Sequence, residues 1–224
     1  MNQQSSTKYP RTYHFPFSKG ATNDDKVADS NWFDNFKDKE IVITEKLDGS
    51  NTALMRNGVF GRSHAAITTN SWDRYITEYG GLFDRVKNLI GKNEIIYGEN
   101  LYAVHSIEYN KLPSYFFIFN IRDEKEFYSW DEIEEMSNIL DIPTVPVLFK
   151  GVFSDENDLR NLIEEIMNNK VSTFGETIEG VVLRIRDRFP IDSFKFKVLK
   201  YVRANHIQTD VHWSKNWKKA ELIN

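Results

Sequence analysis

The chain of 224 residues contains no cysteine. That excludes disulfides and thiolate metal sites, and it fits a reducing compartment. No apolar run approaches the roughly 20 residues that a membrane span needs. Met1 to Arg11 is polar throughout, so no secretory signal is expected either. The histidines, His14, His64, His105, His206 and His212, are scattered without zinc-ligand spacing. There is also no Gly-rich phosphate loop ending in Gly-Lys-Ser/Thr, which leaves a P-loop kinase without support. A cytoplasmic protein with no membrane partner is the expectation.

What is present suits one large domain. Hydrophobic residues make up 40% of the chain and aromatics 14%, enough to bury a core without staples. The net charge of −4 does not by itself point to nucleic acid, but the charges are segregated. Asp123 to Glu165 carries 13 acidic and 3 basic residues and reads as a solvated face. Arg184 to Lys219 carries 10 basic and 3 acidic, interleaved with Phe194, Phe196, Tyr201, Trp213 and Trp217, as a polyanion-facing surface would.

Residues 1–39 read as an irregular N-terminal extension packed on the domain, 40–200 as its core, and 201–224 as a basic, aromatic tail. From Glu40 the pattern turns strand-like. Ile41 to Thr44 is β-branched, and Thr52 to Met55 and Val59 to Arg62 flank a hairpin turn at Asn57-Gly58. Asn70 or Ser71 begins a pattern with Trp72, Tyr75, Ile76, Tyr79, Leu82, Phe83 and Val86 on one helical face. Strands are expected at Glu94 to Gly98, Tyr115 to Arg122, Gly180 to Ile185 and Ser193 to Leu199. Helices are expected after the capping box at Ser129 to Glu132 and from Ser154. The elements do not alternate as βαβ units, so the fold class is α+β with antiparallel sheets.

Two segments carry chemistry. In Thr44-Glu-Lys-Leu-Asp-Gly-Ser-Asn51 a lysine ends an apolar strand and a Gly-containing turn follows. Lysine is nucleophilic only when neutral, so its pKa of about 10.4 must be depressed by burial or by nearby cations. Lys195 and Lys197 alternate with Phe194, Phe196 and Val198, and a strand would point both to one face. There they would hold a phosphate. Taken singly, either segment is weak evidence, and a solvated surface strand is much the commoner fate of a Lys-x-Lys pair.

Lys46-Leu-Asp-Gly49, Tyr97-Gly-Glu99, Phe116-Phe-Ile-Phe-Asn-Ile121, Glu179-Gly-Val-Val182 and Lys195-Phe-Lys197 together resemble the ordered motifs of the covalent nucleotidyltransferases: DNA ligases, RNA ligases and mRNA-capping enzymes. The Phe116–Ile121 segment, Gly98 to Ile107 with Leu112 to Tyr115, Tyr9 to Thr12 and Arg203 to Asp210 are similar to phage and bacterial double-strand RNA ligases and their relatives. Asn120 stands where Asp is usual in that family. The resemblance implies an adenylation-domain fold of antiparallel sheets flanked by helices, in a bacterial cytoplasm or that of a phage host.

It also implies roles. Lys46 would attack the α-phosphorus of ATP and carry AMP, with Asp48 and Gly49 shaping its turn. Glu45 would present its backbone to adenine, Arg62 would contact phosphate or ribose, Glu99 would accept from a ribose hydroxyl, and Phe119 would stack on the base. Glu179 would bind Mg²⁺ or Mn²⁺. Lys195 and Lys197 would neutralise the phosphate in the transition state. AMP would pass to an RNA 5′-phosphate and be displaced by a 3′-hydroxyl, with a nicked duplex the expected substrate. Arg184, Arg186, Arg188, Lys200 and Arg203 are candidates for tracking the RNA backbone.

Only 27 residues follow Lys197, so a single domain, 1–224, is expected, with a dimer or an accessory RNA-binding partner supplying further grip. A DNA ligase or a capping guanylyltransferase would share the motifs. A non-catalytic protein that binds nucleic-acid ends is the alternative of another class, although binding alone has no use for Lys46, Glu99 and Glu179 together.

Overall fold

The computed structural model of the protein describes residues 7–62, 66–78, 80–169, 171–204 and 217–223. His64, Tyr79, His206, His212, Trp213 and most of the Arg203–Asp210 segment lie outside them.

Two sheets form the frame. The first contains β1 (Tyr13–His14), β2 (Glu40–Lys46), β8 (Val147–Val152), β9 (Gly180–Ile185) and β11 (Val198–Val202) in the order β1-β11-β9-β2-β8. Only the β1–β11 pair is parallel. The second contains β3 (Ser50–Met55), β4 (Gly58–Gly61), β5 (Ile95–Asn100), β6 (Phe116–Arg122), β7 (Glu126–Phe127) and β10 (Phe189–Pro190), antiparallel throughout, in the order β10-β7-β6-β5-β3-β4. Five helices accompany them among the described residues: α1 (Arg74–Thr77), α2 (Leu82–Val86), α3 (Trp130–Leu140), α4 (Glu156–Asn169) and α5 (Phe194–Lys197). The α+β class with antiparallel sheets is what the pattern led us to expect.

The burial pattern explains the layers. β2 is apolar on both faces because both are covered: Ile41 and Ile43 pack with Leu159, Ile163 and Met167 of α4, and Val42 joins the cluster around β5, β6 and α3. Emptying a position such as Leu159 would cost about 2–5 kcal/mol. α3 begins at the capping box, with Ser129 and Glu132 satisfying each other's backbone N–H groups. α4 is capped one residue later than expected, by Asp155, whose carboxylate accepts from the N–H groups of Asn157 and Asp158.

Three expectations are corrected. The helical face from Trp72 to Val86 is broken into a 3-10 turn (Ser71–Asp73), α1 and α2. Gly80 and Gly81 interrupt it: Gly80 has φ +79, and a Cβ on Gly81 would lie 2.6 Å from the carbonyl oxygen of Tyr75. The hairpin pairs Met55 with Gly58, so its two-residue loop is Arg56-Asn57 rather than Asn57-Gly58. The alternation Phe194-Lys-Phe-Lys197 is a helical turn, not a strand. A 3-10 turn over Ile191–Ser193 runs into it, and Phe194 is drawn into an aromatic cluster 5.1 Å from Tyr9 and 5.0 Å from Phe127. Aromatic packing overrides the period-2 pattern, and the strand starts only at Val198.

Candidate active site

The two sheets face each other across a cavity of about 700 Å³. Thr44, Lys46, Val182, Arg184, Val198 and Lys200 line it from the first sheet, and Ser50, Thr52, Gly61, Glu99, Phe119 and Asn120 from the second. The turn from Lys46 to Ser50 joins the sheets, which is why its lysine lies between them.

That turn is fixed from several sides. The Asp48 carboxylate accepts from the N–H groups of Ser106 and Ile107 at 2.8 and 2.9 Å, and the Asp48 N–H donates to the Tyr109 hydroxyl at 2.8 Å. Gly49 donates its N–H to Glu99 at 3.0 Å. A Cβ on Gly49 would lie 2.5 Å from the Asn100 carbonyl oxygen, so the close approach requires glycine. Asp48 therefore pins the loop after β5 to the nucleophile turn. His105 of that loop lies 3.2 Å from Ser50 Oγ. Ser106 and Ile107 lie in the Gly98–Ile107 segment that carries the resemblance, but the sequence assigns no role to them or to Tyr109, because backbone and hydroxyl partners leave no motif.

Lys46 donates to both carboxylate oxygens of Glu179 at 2.6 Å. Burial alone would depress the lysine's pKa, but the charges of Glu179, Glu99 and Asp48 outweigh it and hold the pKa above its ordinary value. Burial raises Glu179 in turn, against the lysine's pull. Glu99 is pushed up from 4.5 to about 8, first by burial and then by Glu179 and Asp48, against the opposing charge of Lys46. The unliganded protein thus rests with an ammonium at Lys46, paired to Glu179.

The facing cations are not those expected. Lys195 and Lys197 do not line the cavity. Lys195 is exposed, with its Nζ 4.6 Å from the Phe196 ring, and Lys197 is lowered by burial and by Lys39. Lys200, assigned above to an outer RNA surface, is the inner cation: burial and the charge of Lys46 lower its pKa. Strand pairing explains this. Val198 and Lys200 face the cavity from β11, opposite Arg184 and Val182 of β9. Arg62 also lines the cavity, as an exposed side chain at the end of the hairpin.

The other residues sort as follows. Phe119, half-buried between fully buried neighbours on β6, lines the cavity with Val182, Val198 and Val145. Glu45 has its N–H committed to the Pro146 carbonyl at 2.8 Å, and its buried carboxylate accepts from Ser172 Oγ and the Thr173 N–H. Arg184 is buried, not an outer contact. It donates to Asn120 Oδ1 at 2.8 Å, to Ile185 O at 3.0 Å and to Tyr128 O, and burial lowers its pKa to about 10. Asn120 in turn donates to the Tyr9 hydroxyl at 3.1 Å. Arg186 pairs with Glu40 and Asp131, and Arg188 with Glu132. The acidic face of α3 therefore neutralises both, and neither forms a free basic track. Arg203 follows β11 beside Glu179, donating its N–H to the Glu179 carbonyl at 3.0 Å, and does not line the cavity.

No set of three or more His, Cys, Asp or Glu side chains among the described residues forms a metal cage. Glu179 and Glu99 instead give a sparse pair of carboxylates beside the lysine, while the Asp48 carboxylate accepts from the N–H groups of Ser106 and Ile107. Such a pair fits a Mg²⁺ that takes one or two carboxylates and completes its shell with phosphate oxygens and water.

A profile of the RNA ligase family matches residues 39–202. No curated protein matches by sequence. Among solved structures, an archaeal ATP-dependent RNA ligase is 14% identical with a TM-score of 0.59, over 88% of this chain and 48% of its own. A putative ATP-dependent DNA ligase from Aquifex aeolicus is 20% identical with a TM-score of 0.56, over 88% of this chain and 50% of its own. A Naegleria gruberi RNA ligase variant with ATP and Mn is 18% identical with a TM-score of 0.55, over 77% of this chain and 52% of its own. The chain spans about half the length of these proteins, and at such identities the likeness establishes the fold.

Proposed function

The chain belongs to the RNA ligase family, and from that premise we propose that it joins RNA ends at the expense of ATP, through a lysyl-AMP adduct on Lys46. The observation that carries the proposal is a cavity with a lysine set among Glu179, Glu99 and Asp48, with Lys200 and Arg62 also lining it. A binder of nucleic-acid ends would need the cations but not a half-buried lysine paired to the buried Glu179, an arrangement that is costly unless used.

The residues act in order. Lys46 gives up its proton to water, and the neutral amine attacks the α-phosphorus of ATP as pyrophosphate leaves. Lys200 neutralises charge on the phosphate as it becomes five-coordinate, the stabilisation first expected of Lys195 and Lys197. Phe119 offers its ring face to adenine, with Val182 and Val198 on the neighbouring sheet. Glu99 accepts from a ribose hydroxyl, and Arg62 holds an outer phosphate oxygen. Glu179 would hold a Mg²⁺ or Mn²⁺ together with the phosphates, and that ion supplies charge neutralisation on the triphosphate. AMP then passes to a 5′-phosphate, and a 3′-hydroxyl displaces it.

The test is incubation with Mg²⁺ and ATP labelled at the α-phosphate. Label is expected on the denatured wild-type protein and not on Lys46→Ala. An unlabelled wild type refutes the activity, and a labelled variant refutes the assignment to Lys46. A panel of nicked RNA, DNA and hybrid duplexes then reads the polymer.

A further inference from the structure

Trp72 was expected on the buried face of a helix. It lies instead on the 3-10 turn before α1, half-buried, and lines the cavity with Asn70 and Asp73. The C-terminal segment backs it. Trp217 contacts Trp72 edge-on at 6.3 Å, anchors its indole N–H on Ser71 Oγ at 3.1 Å and lies 5.9 Å from Tyr102. Tyr102 stacks on Tyr75 at 4.9 Å, and Lys219 sits 5.4 Å from the Tyr102 ring. Backbone pairing keeps the segment in place: Ala220 donates to Tyr102 O at 2.8 Å and Val104 to Lys218 O at 2.9 Å. None of Trp72, Tyr75, Tyr102 and Trp217 is fully buried, whereas Phe15, Trp32, Phe36, Tyr97, Phe127 and Phe189 all are.

This aromatic group is separate from the base pocket at Phe119. Asn100, at the end of β5, donates to Trp72 O at 3.2 Å, while Asn120, beside Phe119, pairs with Tyr97. Three residues of strand, about 10 Å, separate these positions. The cavity thus has an aromatic wall at each of two places, with Lys46 and Glu99 also on its lining. One nucleotide base uses the wall at Phe119.

We propose that Trp72, braced by Trp217 and Tyr102, is the stacking platform for the base of the RNA nucleotide that bears the 5′-phosphate. The inference rests on the proposed ligase reading and adds the form in which the strand end is received. The phosphate that accepts AMP must reach the adduct on Lys46, so its own base is the one that enters the cavity Lys46 and Trp72 both line. An aromatic platform accepts any base by its π-face. A base lying on Trp72 is out of its own helical stack, so the ligand class is a 5′-phosphorylated RNA whose first base is unpaired or splayed out.

The test starts from protein carrying labelled AMP on Lys46, freed of ATP and mixed with excess 5′-phosphorylated single-stranded RNA. The first nucleotide is either intact or abasic, and the rate of AMP transfer to RNA is measured. Wild type is expected to slow about 5- to 150-fold on the abasic end, the usual worth of one stacked base. Trp72→Ala should slow as much on the intact end and no further on the abasic one, and Trp72→Phe should recover most of the rate. Equal wild-type rates on the two ends would overturn the platform and leave the ligase reading standing, as would losses from Trp72→Ala and the abasic end that multiply. Transfer by wild type to neither RNA, with transfer to a nicked RNA duplex intact, would overturn the platform alone, and transfer to none of the three would overturn both.

Discussion

Glu99→Gln should make the unliganded protein more stable and less active, with a stability gain that grows with pH. Glu99 has its pKa raised from 4.5 to about 8. The folded state therefore holds a proton on Glu99 in the pH range where the unfolded chain has released it. Between about pH 4.5 and 8 the folded state binds more protons, so stability falls as pH rises. The favourable contribution is fully present below 4.5 and lost as pH passes through about 8. Glutamine cannot ionise, yet its carbonyl oxygen still accepts the Gly49 N–H that Glu99 accepts now.

The variant should thus follow the wild type near pH 4.5 and diverge above it. At about 1.4 kcal/mol per pH unit the gap reaches roughly 1.4 kcal/mol at pH 5.5 and an upper bound of about 3.4 kcal/mol at pH 7. Urea unfolding of both proteins at pH 5, 6, 7 and 8 measures it, with midpoints compared at equal slope. A gap that does not change with pH would refute a neutral, strained Glu99. The same variant should form lysyl-AMP at least about tenfold more slowly above pH 8, where wild-type Glu99 is ionised and offers the ribose hydroxyl a charged acceptor. Gaining stability while losing activity is the usual mark of a residue kept for function.

Lys200→Ala should slow lysyl-AMP formation about 100-fold or more, as removal of a transition-state charge does. Lys195→Ala and Lys197→Ala should change it only a few-fold in the same α-labelled ATP assay, and the reverse ranking would restore the expected strand. Tyr109→Phe removes the acceptor of the Asp48 N–H. It should cost about 1–3 kcal/mol in thermal or urea unfolding and lower adduct formation through a loosened nucleophile turn. Asn120→Asp gives the buried Arg184 a carboxylate partner in place of an amide oxygen. It should stabilise the protein by about 1–2 kcal/mol at pH 7, the worth of a hydrogen bond to a charged group, and the gain should shrink as pH falls from about 4 through the lower pKa that Arg184 gives the new carboxyl. Unfolding midpoints at pH 7 and pH 3.5 check both parts.

The strands were legible where apolar pattern and turn chemistry agreed, as in β2, β5, β6 and β9, and α3 was legible from its capping box. What failed was decided by tertiary packing. The apolar face from Trp72 to Val86 has the right period, but Gly80 and Gly81 break it, and Trp72 then faces the cavity rather than the core. The basic run from Arg184 to Arg188 reads as a surface track until α3 is laid beside it. Glu40, Asp131 and Glu132 then neutralise Arg186 and Arg188, and burial takes Arg184 inside. Over Arg184 to Arg188, segregated charge was a sign of two faces meeting, not of a face left open to a polyanion.

The lysine pair shows the same limit inside the site. Lys195-Phe-Lys197 has the residues and the period to place two ammonium groups on one face, and Val198-Leu-Lys200 has only one. The choice between them rests on where the strand beside β9 begins, which neither segment states. β9 settles it, because Gly180 faces Lys46 on one side and Val202 on the other. A side chain at Gly180 would run into the Tyr201 carbonyl, so the register cannot slip to put a larger residue there. Counting back from Val202 sets Lys200 opposite Val182 and Val198 opposite Arg184, and leaves Lys195 and Lys197 before the strand. With a valine at the outer position, Lys200 is the lysine that β11 supplies to the cavity, and Arg62 must come from the other sheet. That division explains why Lys200→Ala is the substitution that should separate this site from one with two strand lysines.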